Sequence, residues 1–306
     1  MLLYRIRIKL QQINKPLFNV YLGEFISTFI LITIGLGTMI QHKLNYKLKN
    51  VSTLHYINIS TGWSIAFLLS QTIVSPFGYG LMNPAITLSL ALIGKLPLNY
   101  VLPFTIIQLT SSFLSSLMLY FTYYEIIITN YSVKVYATDN HIQHTNSSVL
   151  FNQFMLTPST SHYICFIDRL FLTAFTTIFI LSIRDERNYN LQHCYRSLYV
   201  AIFTAGRIGA LSMNAGTSIN PVRDLGPRIV IAFCRLGMDA FKKDNYYFWI
   251  PTVAPYLGSI IGAVLYELTI GAHLNKKLTN KLHRTIRIPQ SQLSCLTNSS
   301  SYSFNS

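Results

Sequence analysis

Two Asn-Pro pairs constrain this chain more than any other feature. Asn83-Pro84-Ala85 runs into Leu88-Ser89-Leu90-Ala91-Leu92-Ile93, and Asn220-Pro221-Val222 runs into Arg223-Asp224-Leu225-Gly226-Pro227-Arg228. Asn before Pro is how a helix begins: the Asn side chain caps free backbone N–H groups, and Pro in the first helical position gives up no hydrogen bond. Helices are therefore predicted to start at Asn83 and Asn220. A single Asn-Pro is ordinary turn chemistry. Two of them, one in each half of an apolar chain, point to an internally repeated membrane protein whose broken helices meet at a central site.

Composition agrees with a bilayer. Of 306 residues, 51% are hydrophobic and only 11% charged, whereas a soluble domain carries about 25% charged residues. A formal charge of +14 in a soluble protein would suggest nucleic acid. Here the basic residues fall mostly in loops and tails without an aromatic-basic reader motif, so the charge reads as membrane topology and contact with anionic lipid, and nucleic acid is not a partner. Cys165, Cys194, Cys234 and Cys295 stand far apart, with no CxxC or His pairing. Neither a disulfide framework nor a metal site is implied, and no cofactor is expected. Met1 to Pro16 is basic but too polar in its second half for a signal peptide, so the first apolar segment is expected to remain as a span.

Read in order, the chain predicts spans over about Leu17 to Ile40, Tyr56 to Val74, Asn99 to Tyr123, Tyr163 to Ile183, Leu198 to Met213 and Tyr247 to Ile270, with a basic loop from Gln41 to His55. Ser75 to Gly94 is too short, and too broken by Pro76, Gly78 and Gly80, to cross alone. It is expected to be a re-entrant half-helix, as is the segment from Asn220 to about Leu236. The fold class is thus an all-α membrane protein, six transmembrane helices plus two half-helices in an inverted repeat. The division is a tail over 1–16, a channel-like domain over 17–274 with repeats at about 17–124 and 162–271 around an external loop at 125–161, and a tail over 275–306. The predicted inner loops and tails hold thirteen basic residues and the outer loops seven, which favours cytoplasmic termini. A multi-pass protein of the plasma membrane is expected. Asn50, Asn130 and Asn146 open glycosylation sequons that matter only if their loops face the lumen.

With these residues the chain resembles an aquaporin, and within that family the aquaglyceroporin branch. The doubled Asn-Pro-Ala box is matched fully by Asn83-Pro84-Ala85 and with one change by Asn220-Pro221-Val222. An Asp after the box arginine, then Gly-Pro and a basic residue, Arg223-Asp224-Leu225-Gly226-Pro227-Arg228, resembles the glycerol-conducting branch, as does Pro251-Thr252-Val253-Ala254-Pro255-Tyr256-Leu257-Gly258-Ser259. The resemblance covers about Leu22 to Leu274. It implies that Gly23-Glu24-Phe25 supports the loop before the first box, that Arg223 is the filter arginine and that Trp63, twenty residues before Asn83, is the aromatic wall for a polyol carbon skeleton. Independently, an ionisable Glu24 at that depth is expected to face inward and accept hydrogen bonds from non-helical backbone, the alternative being a glutamate near the interface that reaches water.

The resemblance also exposes departures. Thr217 stands where an aromatic residue or Cys is frequent, and Ile208 where Gly is frequent, with Gly209 beside it. Leu81 replaces His, Arg169 replaces Glu or Gln, and Tyr256 replaces an aliphatic residue. Thr217 would widen and polarise one side of the filter, while Ile208 would narrow another unless a shift places Gly209 there. Asp224 reads either as a selectivity device or, locally, as a first-turn carboxylate paired with Arg228 four residues on. Arg207, inside the fifth span, has two readings: it snorkels to the outer interface, or it adds positive potential at the outer mouth and favours small carboxylic acids or their anions.

The function that follows is a passive channel for water and small uncharged solutes such as glycerol, excluding ions and protons. Half-helix N-termini carry partial positive charge that repels cations, and Asn83 and Asn220 would donate amide N–H groups to a passing hydroxyl. The alternatives are a water-selective aquaporin and a structural adhesion tetramer with a closed pore. An enzyme is not expected, because the scattered His residues form no nucleophile-base pair. The resemblance implies a homotetramer, and Gly258 and Gly262 suit close helix packing.

Overall fold

The computed structural model describes residues 16–49, 55–125, 160–188, 193–212, 214, 216, 218–236 and 238–274. The sequon residues Asn50, Asn130 and Asn146, and Thr217 of the predicted filter, lie outside the described residues, as does the predicted external loop apart from its edges.

The first repeat consists of α1 (Pro16–Lys49), α2 (His55–Val74), the half-helix α3 (Pro84–Leu92) and α4 (Val101–Thr122), the last entered through a 3-10 turn at Leu98–Tyr100. The second consists of α5 (His162–Arg184), α6 (His193–Leu211), the half-helix α7 (Pro221–Ile231), a short α8 (Asp239–Tyr246) and α9 (Trp249–Thr269). This is an all-helical membrane protein. Of the six predicted spans, five are long and apolar enough to cross a bilayer. The exception is α6, whose 19 residues reach about 28 Å at 1.5 Å per residue but include Arg196 and Arg207.

Three boundaries differ from expectation. The predicted basic loop from Gln41 is helical as far as Lys49, so α1 has 34 residues, about 51 Å in length and well beyond a roughly 30 Å hydrocarbon core. Polar residues there mark the exit from the apolar layer and not the end of the helix. The fifth span, α6, starts at His193, before the predicted Leu198, for the same reason. The second half-helix ends at Ile231 and passes into a π-helical turn, Ala232–Leu236.

The two repeats interlock. Half-helix α3 packs against α9 of the opposite repeat, and α7 against α4, while α1 pairs with α2 and α4, and α5 with α9. The same bond recurs in both crossings: Ser112 Oγ donates to the Val222 carbonyl at 2.7 Å, and Ser259 Oγ donates to the Ala85 carbonyl at 2.8 Å. Each third span thus holds the third residue of the other repeat's box. Along α9, a Cβ added at Gly258 or Gly262 would collide with the carbonyls of Leu170 and Ala174 on α5. These glycines let two backbones of one chain touch, the use expected of small residues where helices pack in lipid.

Candidate functional site

Both half-helices begin as Asn-Pro requires. Asn83 is the N-cap of α3 with extended backbone, and its Oδ1 accepts from Ala85 N at 3.0 Å; Asn220 caps α7 in the same conformation and accepts from Val222 N at 3.2 Å. Pro84 and Pro221 fill the first helical positions. With each oxygen fixed by its own cap, each amide nitrogen reaches across to the other repeat. Asn83 Nδ2 donates to the Ile219 carbonyl at 3.1 Å, and Asn220 Nδ2 donates to the Met82 carbonyl at 2.7 Å. The two helix N-termini therefore abut. An amide nitrogen carries two hydrogens, so one N–H on each Asn is left over after this bond. Each terminus adds roughly half a positive charge at the meeting point.

The loop leading to the first tip is held from below. Glu24, wholly buried in α1, accepts from Leu81 N at 2.8 Å, Met82 N at 3.0 Å and Gln108 Nε2 at 3.0 Å. Met82 lies at φ 54, a left-handed conformation that costs a side-chain-bearing residue free energy and persists only where the surroundings over-determine it. Its N–H bonded to Glu24 and its carbonyl bonded to Asn220 provide that determination.

At the other side of the box, Arg223 of α7 is 3% exposed. Its guanidinium lies 5.1 Å from the centroid of the Trp63 ring, and Nη2 donates to Met39 Sδ at 2.9 Å. Trp63 is buried, and its indole N–H has no acceptor within the protein. Gly35 makes room for that ring: a Cβ there would collide with its six-membered edge. Ile208 is buried in the same apolar cluster as Trp63, Met39 and Met82. Gly209 is exposed, with open space around an added Cβ, so Ile208, and not Gly209, occupies the inward position on α6.

The remaining candidates also lie on α7. Asp224 and Arg228 form a completely buried pair at 2.6 Å, and Arg228 Nη1 also donates to the Ala240 carbonyl at 2.7 Å. Val222 is buried and takes part through its backbone. Beyond the Glu24 loop, a cavity of about 220 Å³ is bordered by Gln71, Ser75, Gly80, Arg184 and Ser197. Sequence reasoning missed Met39 and Gly35, which have no motif of their own, and Ser259, whose role shows only when α3 is laid against α9. Among the described residues, no group of three or more His, Cys, Asp or Glu side chains is placed to hold a metal.

This arrangement has counterparts. Residues 11–266 match the family described as major intrinsic protein. The chain belongs to the major intrinsic protein family. Members of the family are channels, and the protein is not an enzyme. It is similar to human aquaporin-9, with 28% identity over 254 residues covering 82% of each chain. It is also similar to aquaglyceroporin-2 of Rhizophagus irregularis, at 26% over 269 residues, covering 86% of this chain and 82% of the relative. Among solved structures, the aquaglyceroporin from Plasmodium falciparum superposes with a TM-score of 0.71 at 25% identity, covering 84% of this chain and 98% of that one. The abutting tips thus lie within an aquaporin fold.

Proposed function

We propose that this major intrinsic protein channel conducts water and glycerol passively and excludes ions and protons. The observation that carries the reading is the reciprocal contact of the half-helix tips, Asn83 to Ile219 and Asn220 to Met82. It leaves two amide donors and two electropositive helix ends at one level of the bundle. A hydroxyl oxygen arriving there accepts from both amides and is held with its own hydrogens turned away, which breaks a proton wire; a cation meets only positive potential. The filter is the constriction at Trp63, Arg223 and Ile208. Arg223 donates to solute hydroxyls, and the Trp63 ring offers an apolar wall to the carbon chain with an indole N–H at its edge. Ile208 in the inward position favours a second reading, a filter narrowed toward water alone.

Further parts of the proposal concern setting. The protein is a homotetramer with a pore in each protomer, resident in the plasma membrane with both termini cytoplasmic, as the excess of basic residues in the inner segments supports. Swelling of expressing oocytes separates the readings. Faster swelling in hypotonic medium and in isosmotic glycerol is expected. Swelling in hypotonic medium alone identifies a water-selective pore, and no swelling despite surface expression identifies a closed, adhesive tetramer.

A further inference from the structure

The second box lacks the device that holds the first. On α1, Glu24 gives a carboxylate to the backbone before Asn83; the matching position on α5 is Arg169, which has no acceptor to give. Arg169 is completely buried, and its Nε, Nη1 and Nη2 all lack an acceptor at hydrogen-bond geometry, although the Tyr247 hydroxyl, itself buried without a partner, lies close by. Arg207, on the adjoining helix α6, is 6% exposed, and its Nε and Nη1 are in the same condition. It does not snorkel to an interface. The two guanidinium groups lie within electrostatic reach of each other, and Arg223 lies within reach of both.

Arg228 shows what this chain does with a buried guanidinium when a partner is intended: it binds Asp224 and a carbonyl. No carboxylate serves Arg169 and Arg207 in that way. Asp224 is held by Arg228. Asp168 precedes Arg169, and its Oδ2 is buried without a hydrogen-bond partner, but successive helical residues point about 100° apart. Asp168 borders a separate cavity with Tyr163, Ile167, Phe171 and Asn214. Buried polar groups are almost always satisfied, and buried like charges repel unless a counter-charge lies between them.

We propose that Arg169 and Arg207 form a binding site for a monovalent anion of halide or carboxylate size, next to the filter arginine. Planar guanidinium forks approaching from α5 and α6 supply several N–H donors to one acceptor and neutralise its charge, which water cannot do for theirs. The burial of both side chains admits only an ion small enough to enter from the mouth. Bound there, the anion replaces the missing carboxylate as the counter-charge for the second repeat.

The test uses crystals of the full chain grown in sodium bromide, with anomalous scattering to locate the ion, so no channel activity is involved. A bromide peak in hydrogen-bond contact with both Arg169 and Arg207, lost in Arg207→Gln, is expected. Arg169→Gln restores a side chain that the resemblance leads one to expect at that position, and it too should abolish the peak while leaving the fold intact. Water alone between the two arginines, or a bromide peak that survives both substitutions, overturns the proposal.

Discussion

A carboxylate with no exposure to solvent survives in an apolar bundle only if every oxygen is used. Glu24 meets that condition with three donors, two of them backbone N–H groups that no helix can satisfy. Glu24→Gln turns an amide NH2 toward one of them, so unfolding in detergent should cost about 1–3 kcal/mol less than for wild type; an unchanged melting temperature would mean that the loop is held otherwise. Gly35 acts at one remove. In Gly35→Ala the added methyl has no room beside Trp63, and the ring must shift from its present place against Arg223. Glycerol flux should fall on the order of tenfold, equivalent to about 1.4 kcal/mol, while the protein still folds; flux equal to wild type would separate Trp63 from the glycerol path. At this scale the two Asn residues were legible because the Asn-Pro pair occurs twice, once in each half of the chain. Met39 and Gly35 were not, since their roles come from what another helix brings against them. Ile208 was legible as a departure, but its inward orientation relative to Gly209 required the helix.

Among the helices, hydropathy marks five spans, and the break before Asn83 marks a half-helix. The sixth span, α6, was readable only because the repeat demanded it, as Arg196 and Arg207 dilute its apolar character. Where α1 ends was not readable, because charged residues tolerate helix as well as loop once they leave the apolar layer. The pairing of α9 with α5 gives this scale its own test. Leu170 and Ala174 present backbone carbonyls to Gly258 and Gly262, and a carbonyl within a helix cannot step aside as a side chain can. Gly258→Ala should destabilise by about 1–3 kcal/mol, the usual cost of overpacking, and lower the temperature at which the detergent-solubilised protein loses its monodisperse peak. A variant as stable as wild type would show that the two helices slide apart freely.

For the whole molecule, the ends as well as the centre must be fastened. Beyond the last turn of α5, Asp185 accepts from Arg187 Nη2 at 2.7 Å and from the Tyr266 hydroxyl at 3.0 Å, while Lys95 bridges to Glu267 at 2.5 Å. Hydrogen bonds from Arg187, opposed by partial burial, hold the Asp185 carboxyl down at about 2, below its ordinary 3.8. A depressed folded-state value means stability that is present above about pH 4 and is lost as pH falls through about 2. Wild type should therefore melt higher than Asp185→Asn at neutral pH, and the gap should close between about pH 4 and pH 2. A gap that stays constant over that range would remove the charge from the explanation. The central claim concerns the pore itself: abutting electropositive tips pass neutral hydroxylated solutes and stop protons. The most direct measurement places purified protein in liposomes containing a pH-sensitive dye and records glycerol-driven volume change and proton leak in the same vesicles. The account predicts glycerol permeability well above that of protein-free liposomes, with proton leak at the protein-free level. Glycerol permeability no greater than that of empty liposomes, or a proton leak that rises with protein content, would contradict it.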